Sequence, residues 1–293
     1  MAAANDVSKH LYGKTDSNPK EEPAESLPET CLEEFTTGDH DGKDVMIEAN
    51  VDNARVQSAK LGFLVLRQEL DTIQAVIAES PDLISRQMVK WASNINRESV
   101  VRVYGRVQQA PEPVNSATIS NFELHIQRIY LVAEAAQKLP LQIKDVMSTP
   151  LGADEGTQSN GDPNVTLNTR LNHRVLDLRT PRSHAIGSIS HTAEKLFREY
   201  MDSHGAKEVI TPKIMGAAAE GGSNVFEMNY FGGKAYLAQS PQLHKQMLIS
   251  SGRRKVFEVG TVFRAENSNT HRHLTEVIHF LPVPFPLRSN ELP

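Results

Sequence analysis

A change of hydrophobic period across residues 148–164 constrains the fold of this 293-residue chain more than any other feature. On the N-terminal side, apolar and polar residues alternate in short runs, which is typical of half-buried strands. On the C-terminal side, apolar residues recur at helical spacing over residues 181–204. Residues 148–164 themselves are rich in Gly, Pro and polar residues and have no period, so we interpret them as a linker between two domains.

The N-terminal domain is predicted to be an OB-fold barrel over residues 44–147. It contains five strand-like runs, and a helix-like run over residues 83–95 comes before the fourth, which is the order of that fold. The same composition would also fit other small β-rich modules. An OB-fold barrel binds single-stranded nucleic acid by stacking bases on aromatic side chains and holding phosphates with cations. The predicted strands cover residues 45–51, 62–67, 72–78, 100–107 and 122–130.

The first 44 residues differ from the rest of the chain in charge. They carry 11 acidic and 4 basic side chains, whereas the net charge of the whole chain is only -5. We therefore predict a disordered acidic arm over residues 1–43. The overall charge balance also excludes a globally basic protein that coats nucleic acid.

The chain has a single cysteine, Cys31. This count excludes a disulfide framework and a cysteine-based zinc site, and it favours a reducing compartment. The longest apolar run, residues 61–66, is too short to span a bilayer, and the N-terminus lacks a secretory signal. We therefore expect a cytoplasmic protein with no membrane association.

The C-terminal domain is predicted to combine helices and strands, which makes the whole chain α+β. Pro181 stands where a first-turn proline belongs, and Gly205 stands where a helix stops. The apolar stripe of this helix comprises Ile186, Ile189, Ala193, Leu196, Phe197 and Tyr200. Further predicted elements are strands over residues 208–212, 235–237, 256–258 and 261–265, and a helix over residues 241–251.

Three motifs in this domain resemble those of a known family. The run FRAENSNTHRH at residues 263–273 resembles motif 2 of class II aminoacyl-tRNA synthetases. Together with QSPQLHK at 239–245 and AEGGSNVF at 219–226, it resembles the aspartyl-tRNA synthetases of eukaryotic cytosolic or archaeal type over residues 45–276. The resemblance implies an antiparallel-sheet catalytic domain and a ligase of translation that uses ATP and Mg²⁺ to join L-aspartate to tRNA(Asp).

Amino-acid activation brings two anions together, because the carboxylate of the amino acid attacks the α-phosphate of ATP. A fixed arginine can screen and align them, since its planar fork holds carboxylate and phosphate oxygens at once. The resemblance implies that Arg264 has this catalytic role and contacts both aspartate and ATP. The other ATP-binding residues that it implies are Glu266, Arg272, His273 and Leu274. Without the resemblance, the run would fit an exposed hairpin with turn-forming residues.

The resemblance also implies that Glu220, Gln242 and Lys245 select aspartate. Glu220 precedes two glycines on a loop, and the family uses such a loop acid to hold the α-ammonium group. Gln242 and Lys245 are three residues apart at a helix start, so both can face one pocket. Lys245 would pair with the side-chain carboxylate of aspartate, and a wrong substrate would leave the lysine charge unpaired. Taken alone, Lys245 would fit an ordinary exposed helix lysine.

In the barrel, the resemblance places contacts with the anticodon on four residues. Phe63 would stack on a base, and Arg55 would bind a phosphate or a base edge. Gln74 and Glu123 would read base edges. On its own, Phe63 fits a core position equally well, and the barrel alone would also serve a general single-strand binder.

The chain departs from the family on its C-terminal side. Residues 165–276 correspond to the N-terminal part of the catalytic domain, with motifs 1 and 2 but without motif 3 or the acidic metal ligands, so no metal-binding residue is predicted. Residues 277–293 are predicted to be a divergent Pro-rich tail, because three alternating prolines exclude an inner strand. We expect a C-terminally truncated, catalytically impaired synthetase or, alternatively, a non-catalytic fragment that binds tRNA and dimerises. The homodimer would form through the motif 1 helix at 181–204, whose other interpretation is a core helix.

Overall fold

The computed structural model of the chain describes residues 6–15, 27, 29–148, 165–218, 225–267, 270 and 274–284. The chain divides into two compact units, residues 1–185 and residues 186–293, and each is described by itself. The predicted linker over 148–164 lies outside the described residues, apart from Ser148. None of the described helices is long and apolar enough to cross a membrane.

The first unit is built on one six-stranded sheet that closes into a barrel. In chain order its strands are β1 (Tyr12–Lys14), β2 (Asp44–Ser58), β3 (Leu61–Gln68), β4 (Asp71–Ala78), β5 (Val100–Gln109) and β6 (Ile119–Ala133). The sheet order is β1-β6-β4-β3-β2-β5, and antiparallel pairing of β5 with β6 closes the barrel. Helix α1 (Arg86–Ala92) lies between the third and fourth of the five barrel strands, β4 and β5. This architecture confirms the predicted OB fold.

Alternation along the strands puts one set of side chains inside the barrel. Ile47, Leu64 and Ile77 are fully buried, and each such side chain contributes about 1.5–3 kcal/mol to folding. Strand β5 approaches β6 closely at Gly105, where a Cβ atom would lie 2.5 Å from the carbonyl oxygen of His125. Glycine is therefore required at this position of the barrel wall.

The predicted disordered acidic arm, residues 1–43, is wrong for the described part of that segment. Strand β1 pairs in parallel with β6, and the buried Ser8 hydroxyl donates to the carbonyl oxygen of Leu83 at 2.8 Å. A 3₁₀ helix (Leu32–Thr36) buries Leu32 completely and leaves Phe35 only 3% exposed. The acidic composition describes the solvent face of this segment, whereas a few apolar residues among the acids are enough to attach it to the barrel.

The residues directly after the predicted linker are grouped with the first unit. Helices α2 (Ile143–Ser148), α3 (Leu167–Asn172) and α4 (Arg174–Leu178) all belong to the first unit, which extends to Ala185. The fully buried Asp177 carboxylate joins α3 to α4, because it accepts hydrogen bonds from Arg170, at 2.6 Å, and from Arg174. Residues 165–185, predicted as the start of the catalytic domain, therefore pack with the barrel unit.

The described residues of the second unit form two small sheets and two helices. Its elements are α5 (Pro181–Ser203, which begins in the first unit), β7 (Lys207–Glu208), β8 (Ile214–Met215), β9 (Glu227–Tyr230), β10 (Gly233–Leu237), α6 (Gln242–Ser250), β11 (Lys255–Phe263) and β12 (Glu276–Pro284). The sheet orders are β8-β10-β9 and β12-β11-β7. Gly205 adopts φ +72° directly after α5, which confirms the predicted helix stop. The two predicted strands at 256–258 and 261–265 are a single strand, β11.

The predicted divergent tail is wrong for residues 277–284, which continue β12. This strand pairs with β11 in unbroken antiparallel register, from Phe263 opposite Glu276 to Lys255 opposite Pro284. Within the described residues, β12 is an edge strand, because its sheet order is β12-β11-β7. Pro282 and Pro284 are compatible with an edge, where one row of backbone amides has no strand to donate to. The sequence argument excluded an inner strand and overlooked the edge.

Phe35→Ala should destabilise the barrel by about 3–5 kcal/mol, because truncating a buried phenylalanine leaves a cavity. Urea denaturation followed by the fluorescence of Trp91 measures this, since Trp91 is the only tryptophan and lies in α1 of the barrel unit. The control is Glu33→Ala, an exposed position in the same 3₁₀ helix, which should leave the midpoint unchanged. Equal midpoints for the wild type and Phe35→Ala would mean that this segment is not packed.

Candidate functional site

The outer face of strand β3 presents Phe63 to solvent. Leu64 and Leu66 point into the barrel and are fully buried, whereas Phe63, on the opposite face, is half-buried and outside the core cluster. The alternative interpretation of Phe63 as a core residue is therefore wrong. A half-exposed aromatic ring on a sheet face has the geometry of a base-stacking platform.

The other three residues predicted to contact the anticodon lie on the same face. The Arg55 guanidinium lies over the Phe63 ring, 4.8 Å from its centroid, and the two residues are register partners. Gln74 and Glu123 are also register partners, and the Gln74 side-chain amide donates to the Glu123 carboxylate at 2.6 Å. Val65 connects the two pairs, because it lies opposite Gln74 and two residues from Phe63. The structure therefore brings all four predicted residues together, and their roles in RNA binding remain predictions.

Sequence analysis missed two polar residues on this face, Asn53 and His125. Asn53 lies opposite Val65 in β3, and His125 lies opposite Val76, the register partner of Phe63. Both lie two residues from a predicted site residue on the same strand, so the two-residue period of a strand could have identified them. We call the surface formed by Asn53, Arg55, Phe63, Val65, Gln74, Val76, Glu123 and His125 the outer barrel face.

In the second unit, Lys245 is completely buried. The interpretation of this residue as an ordinary exposed helix lysine is therefore wrong. Burial lowers the pKa of the Lys245 ammonium group, and repulsion from Lys213 lowers it further. The attraction of the Glu258 carboxylate acts in the opposite direction and raises this pKa. Gln242, predicted to face the same pocket, begins α6 and is exposed. A fully buried ammonium group is expensive in free energy unless neighbouring groups compensate it, and the attraction of the Glu258 carboxylate is one such compensation here.

A charged network next to Lys245 was not predicted. The Lys213 ammonium group donates to the Glu258 carboxylate at 2.7 Å, and the Thr211 hydroxyl and backbone amide donate to the same carboxylate at 3.0–3.1 Å. Burial raises the pKa of Glu258, but these hydrogen bonds outweigh it and hold the pKa below the ordinary value of 4.5. Gly260 leaves room for the pair, since a Cβ there would lie 3.1 Å from Glu258 Oε1.

Backbone hydrogen bonds bring the three segments of this site together at Ala238. Its amide donates to the carbonyl oxygen of Lys213 at 2.9 Å, and its carbonyl oxygen accepts from the amide of Phe263 at 2.9 Å. Arg264 directly follows Phe263, and α6, which carries Lys245, begins four residues after Ala238. The site is thus built where the chain segments around residues 213, 238–245 and 258–264 meet.

Arg264 is the predicted catalytic residue at this junction. Its backbone amide donates to the carbonyl oxygen of Thr275 at 2.9 Å, which fixes it at the end of the β11–β12 ladder. Its side chain is half-buried, and its Nε atom is buried without a hydrogen-bond partner among the described residues. An unused guanidinium donor of this kind is suited to an anionic oxygen from a ligand.

The remaining predicted residues are less informative. Glu266 is half-buried and its amide donates to the carbonyl oxygen of Arg264, whereas Leu274 is 52% exposed. Glu220, Arg272 and His273 lie outside the described residues. The part of the chain that the structure describes contains no group of three His, Cys, Asp or Glu side chains that could hold a metal ion. Among the described residues predicted to contact ATP, Arg264 is the cation with an unused donor.

Comparison with known proteins matches two segments of the chain to two families, and the second match begins within the first structural unit. Residues 45–132 match the family of OB-fold nucleic acid binding domains, and residues 166–280 match the tRNA synthetases of class II (D, K and N). The cytoplasmic aspartate–tRNA ligase of Bos taurus is 43% identical over 280 residues, which cover 95% of this chain and 54% of the relative.

Two solved structures extend the comparison to the fold. An aspartyl-tRNA synthetase from Entamoeba histolytica has a TM-score of 0.74 at 35% identity, covering 93% of this chain and 53% of that one. The asparaginyl-tRNA synthetase from Pyrococcus horikoshii, complexed with asparaginyl-adenylate, has a TM-score of 0.67 at 29% identity, covering 82% and 49%. The OB-fold barrel, followed by a segment that matches the class II family, places the chain among the class II aminoacyl-tRNA synthetases.

Within that class, the chain belongs to the aspartyl-tRNA synthetase family. It spans about half the length of the curated relatives that it matches. The match to the class II family ends at residue 280, within β12, so part of the predicted divergent tail belongs to the family sequence.

Glu258→Gln should make the second unit less stable at pH 7 by about 3 kcal/mol, because it breaks a largely buried ion pair. The lowered pKa of Glu258 stabilises the fold at pH values above 4.5, and this contribution is lost as the pH falls through the folded-state pKa. Wild-type stability should therefore decrease more steeply between pH 5 and pH 3 than that of the variant.

Denaturation followed by far-ultraviolet circular dichroism measures this difference. The matched control is Glu227→Gln, which breaks an ion pair of the same 2.7 Å length with Lys234 at the surface. That substitution should cost less than about 1 kcal/mol. Parallel pH profiles for the wild type and Glu258→Gln would contradict the assignment.

Proposed function

We propose that this chain takes part in joining L-aspartate to tRNA(Asp) in the cytoplasm. The barrel would bind the anticodon, and the second unit would contribute to the pocket for aspartate and ATP. The observation that carries the proposal is the completely buried Lys245 ammonium group, which lies within the segment that matches the class II synthetase family. The names of the curated relatives support the reaction and the compartment, since they are cytoplasmic aspartate–tRNA ligases.

Lys245 would recognise the side-chain carboxylate of aspartate. A buried ammonium group favours a carboxylate over a neutral amide, because its Coulomb attraction is stronger to a charged group. The Glu258 carboxylate already accepts hydrogen bonds from Lys213 and Thr211. It would therefore help to position the lysines, and the aspartate carboxylate would be the group that Lys245 recognises. Gln242 and the loop acid Glu220 would complete the contacts with the amino acid.

Arg264 would align the reaction of aspartate with ATP. Its unpartnered Nε atom and its rigid backbone support a role in holding the substrate carboxylate near the α-phosphate. ATP supplies the adenylate group, and Mg²⁺ screens its phosphates when bound. Glu266, Arg272, His273 and Leu274 are proposed as further contacts with the nucleotide.

The barrel would read the anticodon with its outer barrel face. Phe63 offers a ring for stacking, and Arg55 holds that ring from one side while its cation stays exposed to phosphate. The hydrogen bond fixes the side chains of Gln74, which is 8% exposed, and of the half-buried Glu123, and these two residues would read base edges. These features together support binding to an RNA loop.

Helix α5 supports a homodimer. Ile186, Ile189, Leu196 and Tyr200 are each 57–69% exposed, although they form the apolar stripe of the helix. Their positions repeat at alternating intervals of three and four residues when Ala193 is included, which is the spacing of a helix–helix seam. A second copy of the chain would cover this stripe.

Phe63→Ala should weaken binding to tRNA(Asp) about tenfold, because stacking on one aromatic ring contributes about 1–3 kcal/mol. A filter-binding titration against tRNA(Asp) and a tRNA with an unrelated anticodon measures both affinity and selectivity. Leu70→Ala is the matched control, since Leu70 is an exposed apolar residue of the β3–β4 turn. Wild-type binding that ignores the anticodon sequence would contradict the proposal and favour a general single-strand binder.

Lys245→Met should lower the kcat/KM of aspartate-dependent pyrophosphate exchange into ATP at least about 100-fold. The control is Lys195→Met on α5, whose lysine is exposed.

A second candidate function, a non-catalytic fragment that binds tRNA and dimerises, is favoured by the well-formed outer barrel face and the exposed α5 stripe. Absence of exchange by the wild type, with tRNA binding and a dimer in sedimentation velocity, would select that candidate.

A further inference from the structure

A polar pocket of about 260 Å³ opens on the first unit beside the outer barrel face. One wall comes from the β2 backbone bulge and from the loop before β5. The other wall comes from the segment that leads into α2. The lining residues are Asp52, Asn53, Arg97, Glu98, Leu139, Gln142, Ile143 and Lys144.

The pocket is continuous with the surface proposed to bind RNA. A β-bulge inserts Asp52 between register partners, so that Val51 lies opposite Leu66 and Asn53 lies opposite Val65. The bulge puts Asn53 on the outer face although Val51 points into the barrel, and Arg55 lies on that same face about 6.6 Å further along the strand. Asn53 therefore belongs both to the outer barrel face and to the pocket wall.

The two acidic residues of the pocket are neutralised by arginines from outside it. Arg67 donates to Asp52 at 3.2 Å and to Glu98 at 2.5 Å. Arg179 donates to the second oxygen of Glu98 at 2.7 Å. Both carboxylates of the pocket are therefore already paired with arginines, and neither neutralises the other cations that line the pocket.

The two cations that line the pocket have no acidic partner among the described residues. Arg97 Nη2 donates to the neutral side-chain oxygen of Asn53 at 2.7 Å, and its guanidinium group is otherwise exposed. Lys144 is exposed on the opposite wall. The two acids and the two arginines that pair with them balance each other, so Arg97 and Lys144 leave the pocket with two excess positive charges. The net charge of the whole chain, by contrast, is -5.

The backbone beside Arg97 is held in an unusual conformation. Glu98 has φ +65°, although it is not glycine, and its amide donates to the carbonyl oxygen of Val51 at 2.7 Å. The Asn50 side-chain amide donates to its carbonyl oxygen at 3.3 Å. Strained residues of this type persist where the surroundings fix them, and they concentrate at binding sites. This arrangement pre-positions Arg97 at the rim of the pocket.

We propose that this pocket binds a backbone phosphate of the RNA strand that leaves the outer barrel face. The proposal rests on the proposed function, because it assigns the pocket to the same RNA. Arg97 and Lys144 hold the phosphate from two sides, and the Gln142 and Asn53 amides lie within the same pocket. A phosphate contact carries no base sequence, so the pocket sets the affinity and register of the RNA and leaves anticodon selectivity to the outer barrel face.

The test compares Arg97→Gln and Lys144→Gln with Lys43→Gln. Lys43 is also exposed on the barrel, but it lies ten residues before Asn53, up to about 33 Å along β2. Binding of an RNA hairpin with the tRNA(Asp) anticodon loop is measured by fluorescence anisotropy over a series of salt concentrations. A second hairpin with an unrelated anticodon gives the selectivity.

Each pocket variant should lose about tenfold in affinity and lower the slope of log K against log salt by about one, with unchanged selectivity. Lys43→Gln should remain within about twofold of the wild type. The assignment would be overturned if both pocket variants had the same affinity and the same salt slope as the wild type. Lost selectivity at an unchanged salt slope would also overturn it, because Arg97 would then be a base reader.

A separate arm distinguishes RNA phosphate from free phosphate. Side-chain NMR signals of Arg97 are recorded on adding the hairpin, and again on adding inorganic phosphate. A shift with the hairpin that exceeds the shift with millimolar phosphate supports the RNA assignment, and an equal response to phosphate alone overturns it. A wild type that binds neither hairpin would instead refute the proposed function, while a response of Arg97 to phosphate would still identify an anion site.

Discussion

The Glu98 carboxylate joins parts of the first unit that are distant in sequence. It accepts hydrogen bonds from Arg67 on β3 and from Arg179 after α4, while Arg67 also binds Asp52 at the β2 bulge. Removing one partner of such a buried cluster leaves an uncompensated charge, which typically costs about 3–5 kcal/mol. The outer barrel face, the bulge and the segment after the predicted linker therefore depend on one acidic side chain.

A related arrangement organises the second unit. Glu258 is buried with Lys213 and Thr211, and its field reaches the buried Lys245 ammonium group. The apolar core described here is small, consisting of Met201, Ala206 and Phe257 with two partly buried neighbours. Polar and charged contacts therefore have a larger part in positioning its motifs than in the barrel, whose core is extensive.

Sequence analysis predicted correctly those strands and helices whose apolar residues recur with a regular period. The two-residue alternation gave the barrel strands, and the helical stripe with Pro181 and Gly205 gave α5. It failed for residues 6–15 and 29–43, because an average over an acidic segment conceals a few apolar anchors such as Phe35. It failed again at β12, because prolines exclude a central strand but are compatible with an edge, and the sheet order is not visible in one sequence.

The sequence by itself predicted the barrel from the order of strand-like and helix-like runs along the chain, and it indicated the family and the candidate site residues through motifs that resemble those of that family. The tertiary structure alone decided that Lys245 is buried and that Phe63 faces outward under Arg55. It also decided that Arg97 and Lys144 line one pocket although 47 residues separate them. Burial and charge balance depend on neighbours from distant segments, and only folding brings those segments together.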